Sequence, residues 1–473
     1  AIGHNTLSAH TADSRSVGIG YEALAYQVVG EAANNVGIGW HGGYAVNQGT
    51  CNTFLGSEAG DAITTFSYNT AIGFRAMSAN LSSSDGANTA VGSETWKGGT
   101  GSHNTFIGCK AGDAYGAGDA NTAVGYEAGG SVGAATGNYN TWVGKHSGRA
   151  NTTGQYNTGL GWNTLYGNQS GHNNIAIGAY AVHTGSGSVH GCIGIGEQAL
   201  YSDAGVSSEI AVGYRAMYAA TGSGSRYNIV IGNSAGAWGS GNANFVRNII
   251  IGQNAADNGT GGDAVLIGYD AGTALTSGVK NTFIGSYAGS TTSTGSKNIC
   301  IGHLCTNQSV SAGSQIGIGN EITTITNNHV KIGVGGNNVS TLFAGGSSWS
   351  WTSDERLKKN INTDTLGLEF INKLRPVTYE FKPSNEVDES FTEHYSATEN
   401  KADSGKLKHG IIAQEVKTAL DEVGVSTFAA WSEEIDGVQR IAPGDFIYPL
   451  INAVKELKIE LDAAKARITT LEG

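Results

Sequence analysis

Proline is almost absent from this chain, at 4 of 473 residues, and methionine is rarer still at 2. Glycine is frequent, at 73, but does not recur at every third position, so with so little proline a collagen triple helix is excluded. No run of about 18 apolar residues occurs, so no membrane-spanning helix is expected. Charge is scarce at 14%, its balance is −12, and basic residues form no block, so nucleic acid is not an expected partner. The five cysteines (Cys51, Cys109, Cys192, Cys300, Cys305) are scattered, odd in number and without zinc spacing, and read as small buried thiols. No cofactor or metal is expected. The opening Ala1-Ile2-Gly3 reads as the middle of a repeat, which suggests a fragment or processed product, so the lack of a signal peptide carries little weight.

The scarcities are uneven. Residues 1–352 carry only 12 of the 27 Lys and Arg and 17 of the 39 Asp and Glu, yet 66 of the glycines. All four prolines (Pro376, Pro383, Pro443, Pro449) lie beyond them. Two physically different segments share one chain.

The first segment is repetitive. Asn52-Thr-Phe-Leu-Gly56 recurs as Asn69-Thr-Ala-Ile-Gly73, Asn121-Thr-Ala-Val-Gly125 and Asn281-Thr-Phe-Ile-Gly285, among others. With the final glycine as anchor there are twenty copies between Gly3 and Gly333, at a mean spacing of about 17 residues, the mark of a solenoid. The residue before each anchor is Ile, Val or Leu, and the residue three before is Val, Ile or Thr wherever it exists. Positions two apart share one face of a strand, so each period is expected to hold one short strand with this β-branched pair turned inward. The anchor glycine allows a turn or close backbone approach. Alanine is common three residues later, as at Ala59, Ala111 and Ala288, and the rest of the period reads as outward loop. Asparagine four before most central anchors can stack as a side-chain ladder. Twenty coils at strand spacing would make a rod on the order of 100 Å long.

These Asn-Thr-Ala-Val-Gly and Ala-Ile-Gly repeats resemble the head repeats of trimeric autotransporter adhesins, which form parallel β-rolls in homotrimers, and repeats of phage tail fibres. The resemblance covers most of residues 1–335.

Beyond Gly345-Gly346 come Ser353-Asp-Glu-Arg-Leu-Lys-Lys-Asn-Ile361, then Leu374-Arg-Pro-Val-Thr-Tyr-Glu-Phe381, then His409-Gly-Ile-Ile-Ala-Gln-Glu-Val416. In this order they resemble the peptidase S74 intramolecular chaperone domain of phage tailspikes and fibres, over about residues 350–473. At the end, Ile447, Leu450, Val454, Leu457, Leu461, Ala464, Ile468 and Leu471 alternate spacings of three and four, an a/d seam that needs partner helices. The regular helix is expected to begin near Pro449. The seam leaves the number of strands open; the resemblance implies three.

The fold class is therefore mainly β: a trimeric parallel β-solenoid or β-roll of about 17-residue repeats, then a small α+β chaperone domain ending in a coiled coil. The expected domains are 1–335 (solenoid shaft or tip), 336–352 (linker with cleavage junction), 353–446 (chaperone) and 447–473 (coiled coil).

The resemblance also implies self-cleavage between Thr352 and Ser353, with Ser353 as nucleophile and Lys358 as general base. A hydroxyl needs such a base, and a partly desolvated lysine can serve. By residue type alone, Ser353 reads as an N-cap rather than a nucleophile, since Ser-Asp-Glu before Arg-Leu-Lys-Lys reads as a helix start. Asp354, Asn360, His409 and Gln414 are candidate supporting residues; packing or trimer contact is the other reading of His409 and Gln414. Arg356 and Lys359 read as surface or salt-bridging residues. Trp40, Trp96, Trp142, Trp162 and Trp238 fall in or beside loops, where they stack on sugars or cap coils. Asp113 and Asp119 share a loop and read as solvated charge, with no paired carboxylates of the kind glycan hydrolysis needs.

The functional expectation is a homotrimeric phage tail fibre that binds a host surface receptor, a glycan or outer-membrane component, and joins the phage tail or baseplate through a region missing from this sequence. It would be assembled in the host cytoplasm and carried on the virion. The alternatives are a trimeric cell-surface adhesin and a glycan-degrading tailspike.

Overall fold

In the computed structural model the chain divides into two compact units, Ala1–Thr352 and Ser353–Gly473. The structure describes residues 1–10, 15–28, 32–78, 86–113, 115–130, 135–184, 187–201, 206–219, 225–237, 245–259, 261–324, 326–342, 353–391, 394–398, 405–434 and 437–473.

The first unit is a β-solenoid wound by the single chain. From Val17–Ile19 to Ile316–Ile318 a three-residue strand of each coil pairs in parallel with that of the next in one 20-stranded sheet, and Thr306–Asn307 pairs with Thr323–Thr324 in a separate parallel pair. Register is uniform: Thr122, Ala123 and Val124 lie beside Thr141, Trp142 and Val143. At the far end His329–Val334 turns back as an antiparallel hairpin with Asn337–Leu342, so the first part of segment 336–352 is strand. The hairpin covers one edge of the parallel sheet.

The facing of the strands reverses the sequence expectation. The middle residue is buried and the β-branched pair points outward: Phe106 is fully buried between Thr105 and the exposed Ile107, and Ile250 lies between the exposed Ile249 and the half-buried Ile251. A period of two places the pair on one face without saying which. The asparagine four before the anchor decides the question. It is buried, it shares a face with the middle residue, and so the β-branched pair must point outward. A 17-residue coil has room for little more, and the middle residues interlock by size. Trp142 sits between Ala123 and Gly159, Phe106 between Ala90 and Ala123, and Phe54 between Gly37 and Ala71.

The asparagines form the expected ladder. Oδ1 of Asn52 accepts from the Asn69 backbone N–H at 2.9 Å and from Asn69 Nδ2 at 3.1 Å. The pattern repeats from Asn104 to Asn121 and from Asn121 to Asn140. Each amide thus pairs polar backbone that would otherwise be buried bare.

The segments read as loops hold regular turns. Beside its anchor, a coil puts three further residues in left-handed conformation, as at Ala120 (φ 56°), Glu127 (51°) and Gly129 (59°). Their N–H groups bond to neighbouring coils, Glu127 to Cys109 O at 3.1 Å and Gly129 to Ser147 O at 2.9 Å. At the anchor Gly125 φ is 136°, and a Cβ there would stand 2.7 Å from Gly144 O. The glycine is needed for both reasons.

Other expectations divide. Cys192, Cys300 and Cys305 are buried, but Cys51 and Cys109 are exposed, outside the one-side-chain-wide core; all five are free thiols. Trp96 and Trp142 are core residues, Trp142 within a strand, so neither is available to a sugar. Trp40 and Trp162 are exposed, and Trp238 lies outside the described residues. Asp113 pairs with Lys97 at 3.3 Å, while Asp119 accepts from Ser102 N at 2.7 Å.

The second unit packs α1 (Leu368–Lys373), α2 (Ala413–Glu422) and the start of α3 (Ile447–Glu472) around Leu366, Phe370, Val416, Leu420 and Phe446. Phe428 meets Phe370 and Phe446 edge-on. Two hairpins complete it, Val377–Tyr379 with Lys408–Gly410 and Trp431–Glu433 with Gln439–Ile441. Helix α3 begins at Ile447, two residues before Pro449. Proline is tolerated in a first turn because the N–H it lacks would have no intrahelical acceptor. Pro449 and Ala453 are buried, and Asn452 Nδ2 donates to Leu366 O at 3.0 Å. The a/d residues from Ile447 to Leu471 are exposed.

Among the described residues no group of His, Cys, Asp and Glu is placed to hold a metal ion, and no helix is long and apolar enough to cross a membrane.

Candidate functional site

The second unit opens on a single 3-10 turn, Glu355–Leu357. Its N-cap is Asp354, whose carboxylate accepts from Arg356 N at 2.9 Å. The N-cap reading of Ser353 is therefore one residue out: aspartate takes the cap and leaves the serine hydroxyl to other partners. The Arg356 guanidinium closes on the same carboxylate, Nη2 to Oδ2 at 2.6 Å, and holds it below the usual aspartate range. Leu357 N–H donates to Asp354 O at 3.1 Å and Lys358 N–H to Glu355 O at 3.0 Å.

This compact turn brings together the two residues that sequence separated by five. Lys358 Nζ donates to Ser353 Oγ at 2.7 Å, within reach for proton transfer. Both side chains are exposed. Thr352, the other half of the expected junction, lies outside the described residues.

The remaining candidates are placed apart. Asn360 has a left-handed backbone, φ 55°, and its carbonyl accepts from Asn362 Nδ2 at 3.2 Å. His409 is exposed on a hairpin strand, opposite Thr378. Gln414 lines a cleft of about 480 Å³ with Phe381, Val387, Phe391, His394 and Val438. Among the described residues neither His409 nor Gln414 hydrogen-bonds to Ser353 or Lys358. Sequence reasoning read Arg356 as a surface or salt-bridging residue, and it is salt-bridged; that its partner is the capping carboxylate of Asp354 was not anticipated, and the i, i+2 opposite charges were the available signal.

Residues 353–425 match the family Peptidase_S74, described as chaperone of endosialidase. The C-terminal unit carries a chaperone-of-endosialidase domain. No curated protein matches the chain. The match begins at Ser353 and takes in the turn, the serine–lysine pair, His409 and Gln414. The chaperone domain thus follows a β-solenoid of stacked repeats, a combination that fits a tail-fibre or tailspike-like protein.

Proposed function

We propose that the chain is a homotrimeric phage tail fibre whose chaperone domain aligns three solenoids and then releases itself by cutting between Thr352 and Ser353. The observation that carries this reading is apolar surface left open along the solenoid. Val17, Leu55, Ile107, Leu160, Ile249 and Ile318 all lie in the outward columns of one sheet and are more than a third exposed. Contiguous apolar surface of this kind marks an interface. Parallel copies related by a symmetry axis would cover it coil by coil, and the exposed seam of α3 likewise calls for partner helices, whose number it leaves open.

Near-identical coils also explain the need for a chaperone, because a pairing slipped by one coil keeps most contacts. A trimeric C-terminus sets the register before the solenoids associate. Cleavage makes the result irreversible and leaves a kinetically trapped fibre. In the cut, Lys358 Nζ, as the neutral amine, takes the hydroxyl proton while Ser353 Oγ attacks the Thr352 carbonyl carbon. The C–N bond breaks, the proton passes to the Ser353 nitrogen, and water hydrolyses the resulting ester. Each chain turns over once.

In this reading the fibre sits on the virion after assembly in the host cytoplasm, binds a glycan or outer-membrane component of the host, and is joined to the phage tail or baseplate. The test is an SDS gel of the expressed chain with and without Ser353→Ala. Wild type should yield fragments 1–352 and 353–473 and the variant only full-length chain. A wild-type band that stays whole under folding conditions refutes the cleavage. A monomeric mass for the Ser353→Ala chain in sedimentation refutes the trimer.

A further inference from the structure

The asparagine ladder is broken at two adjacent coils. The Cys192 N–H still donates to the rung before it, Asn174 Oδ1, at 2.9 Å, but the Cys192 side chain offers no oxygen to the next coil. There the Glu209 N–H meets the Cys192 sulfur instead. Glu209 itself stands where thirteen other coils carry asparagine, and it is fully buried. Its carboxyl group accepts from Ser225 Oγ at 2.8 Å, Asn228 N at 2.9 Å and Asn228 Nδ2 at 3.1 Å. The groups facing it are thus the Cys192 thiol from the coil before and two neutral residues from the coil after. Among the described residues no lysine, arginine or histidine acts on it. A buried carboxylate without a cation is costly, and the rung below it is a poor acceptor.

We propose that Glu209 makes this part of the solenoid a pH-responsive joint, in which ionisation loosens the stacking of strands Ile193–Ile195, Ile210–Val212 and Ile229–Ile231 and protonation restores it. Burial pushes the Glu209 carboxyl up to about 7, although its hydrogen bonds lower it. The same burial, with the Glu209 charge adding to it, pushes the Cys192 thiol up to about 12, so the sulfur stays neutral throughout the range concerned. The sign follows from the raised value. The closed stack holds a proton that the opened one releases, so closure is favoured below the ordinary carboxyl range and weakens as pH rises to about 7. Between about pH 5 and about pH 8 the local opening constant should rise on the order of fifty-fold.

Hydrogen–deuterium exchange of the full chain, corrected for the intrinsic pH dependence of exchange, reads this directly. Peptides covering 206–219 and 225–237 should lose protection across that interval while peptides around Asn121 and Asn140 keep theirs. Glu209→Gln keeps the size without the charge, and Glu209→Asn restores the common rung; both should flatten the profile. A profile in either folded variant that still matches wild type overturns the proposal, as does a wild-type profile no steeper here than around Asn121.

Discussion

Replacing Asn121 by alanine removes one rung from the middle of the ladder. Asn121 is fully buried, and its Oδ1 accepts from the Asn140 backbone N–H at 2.9 Å, Asn140 Nδ2 at 3.1 Å and the Tyr115 hydroxyl at 3.2 Å. Its Nδ2 donates to Gly137 O at 3.0 Å. Some partners have replacements: Asn140 Nδ2 also reaches Gly154 O at 2.9 Å, and the Asn121 backbone still bonds to Asn104 Oδ1 at 2.8 Å. The Asn140 N–H and the Tyr115 hydroxyl lose their acceptor in a dry interior. At about 1–3 kcal/mol for each stranded group, the substitution should cost about 4 kcal/mol. Because coils interact chiefly with their neighbours, the loss should concentrate between the coils of Asn121 and Asn140. Ala264 holds the same position naturally, so the stack survives a missing rung. The assay is denaturant unfolding of the uncleaved Ser353→Ala chain, joined to hydrogen exchange over residues 119–144. A loss below about 1 kcal/mol, or one spread evenly along the solenoid, refutes the view that the ladder carries stacking energy.

Other substitutions probe separate features. Gly125→Ala forces a side chain into φ 136° and against Gly144 O, and should lower stability by about 3 kcal/mol or more in the same assay. Phe106→Ala empties a core position flanked by two alanines and should cost about 3–5 kcal/mol; a cost near 1 would mean that the coil collapses around the gap. Ile107→Glu with Ile284→Glu charges the outward columns, so sedimentation should show a smaller assembly while circular dichroism per chain is unchanged. An unaltered mass would place the interface elsewhere. Burial, with Glu58 adding, pushes the Asp61 carboxyl up to about 6, above its ordinary 3.8. Stability should therefore decline as pH rises from about 4 to about 6, and Asp61→Asn should remove part of that slope in thermal melts.

Much of the architecture was legible in the chain. The period of about 17, one short strand before the anchor, the asparagine ladder and the uncovered seam of α3 all follow from residues repeating at fixed spacing. Repetition turns a weak local preference into an unambiguous one. The serine and lysine were found only through resemblance to a family, because a spacing of five leaves their geometry open until the turn between them is known. The 3-10 turn, capped by Asp354 and clamped by Arg356, brings them to 2.7 Å. What tertiary structure alone decided is which way the strands face. Alternation groups Thr105 with Ile107 and Asn104 with Phe106, but both groups contain plausible interior residues. Closing a 17-residue coil leaves space for one strand side chain and demands an internal partner for the backbone at its corner. The asparagine meets that demand, Phe106 follows it inward, and the β-branched pair is left on the outside as the surface a second chain can cover.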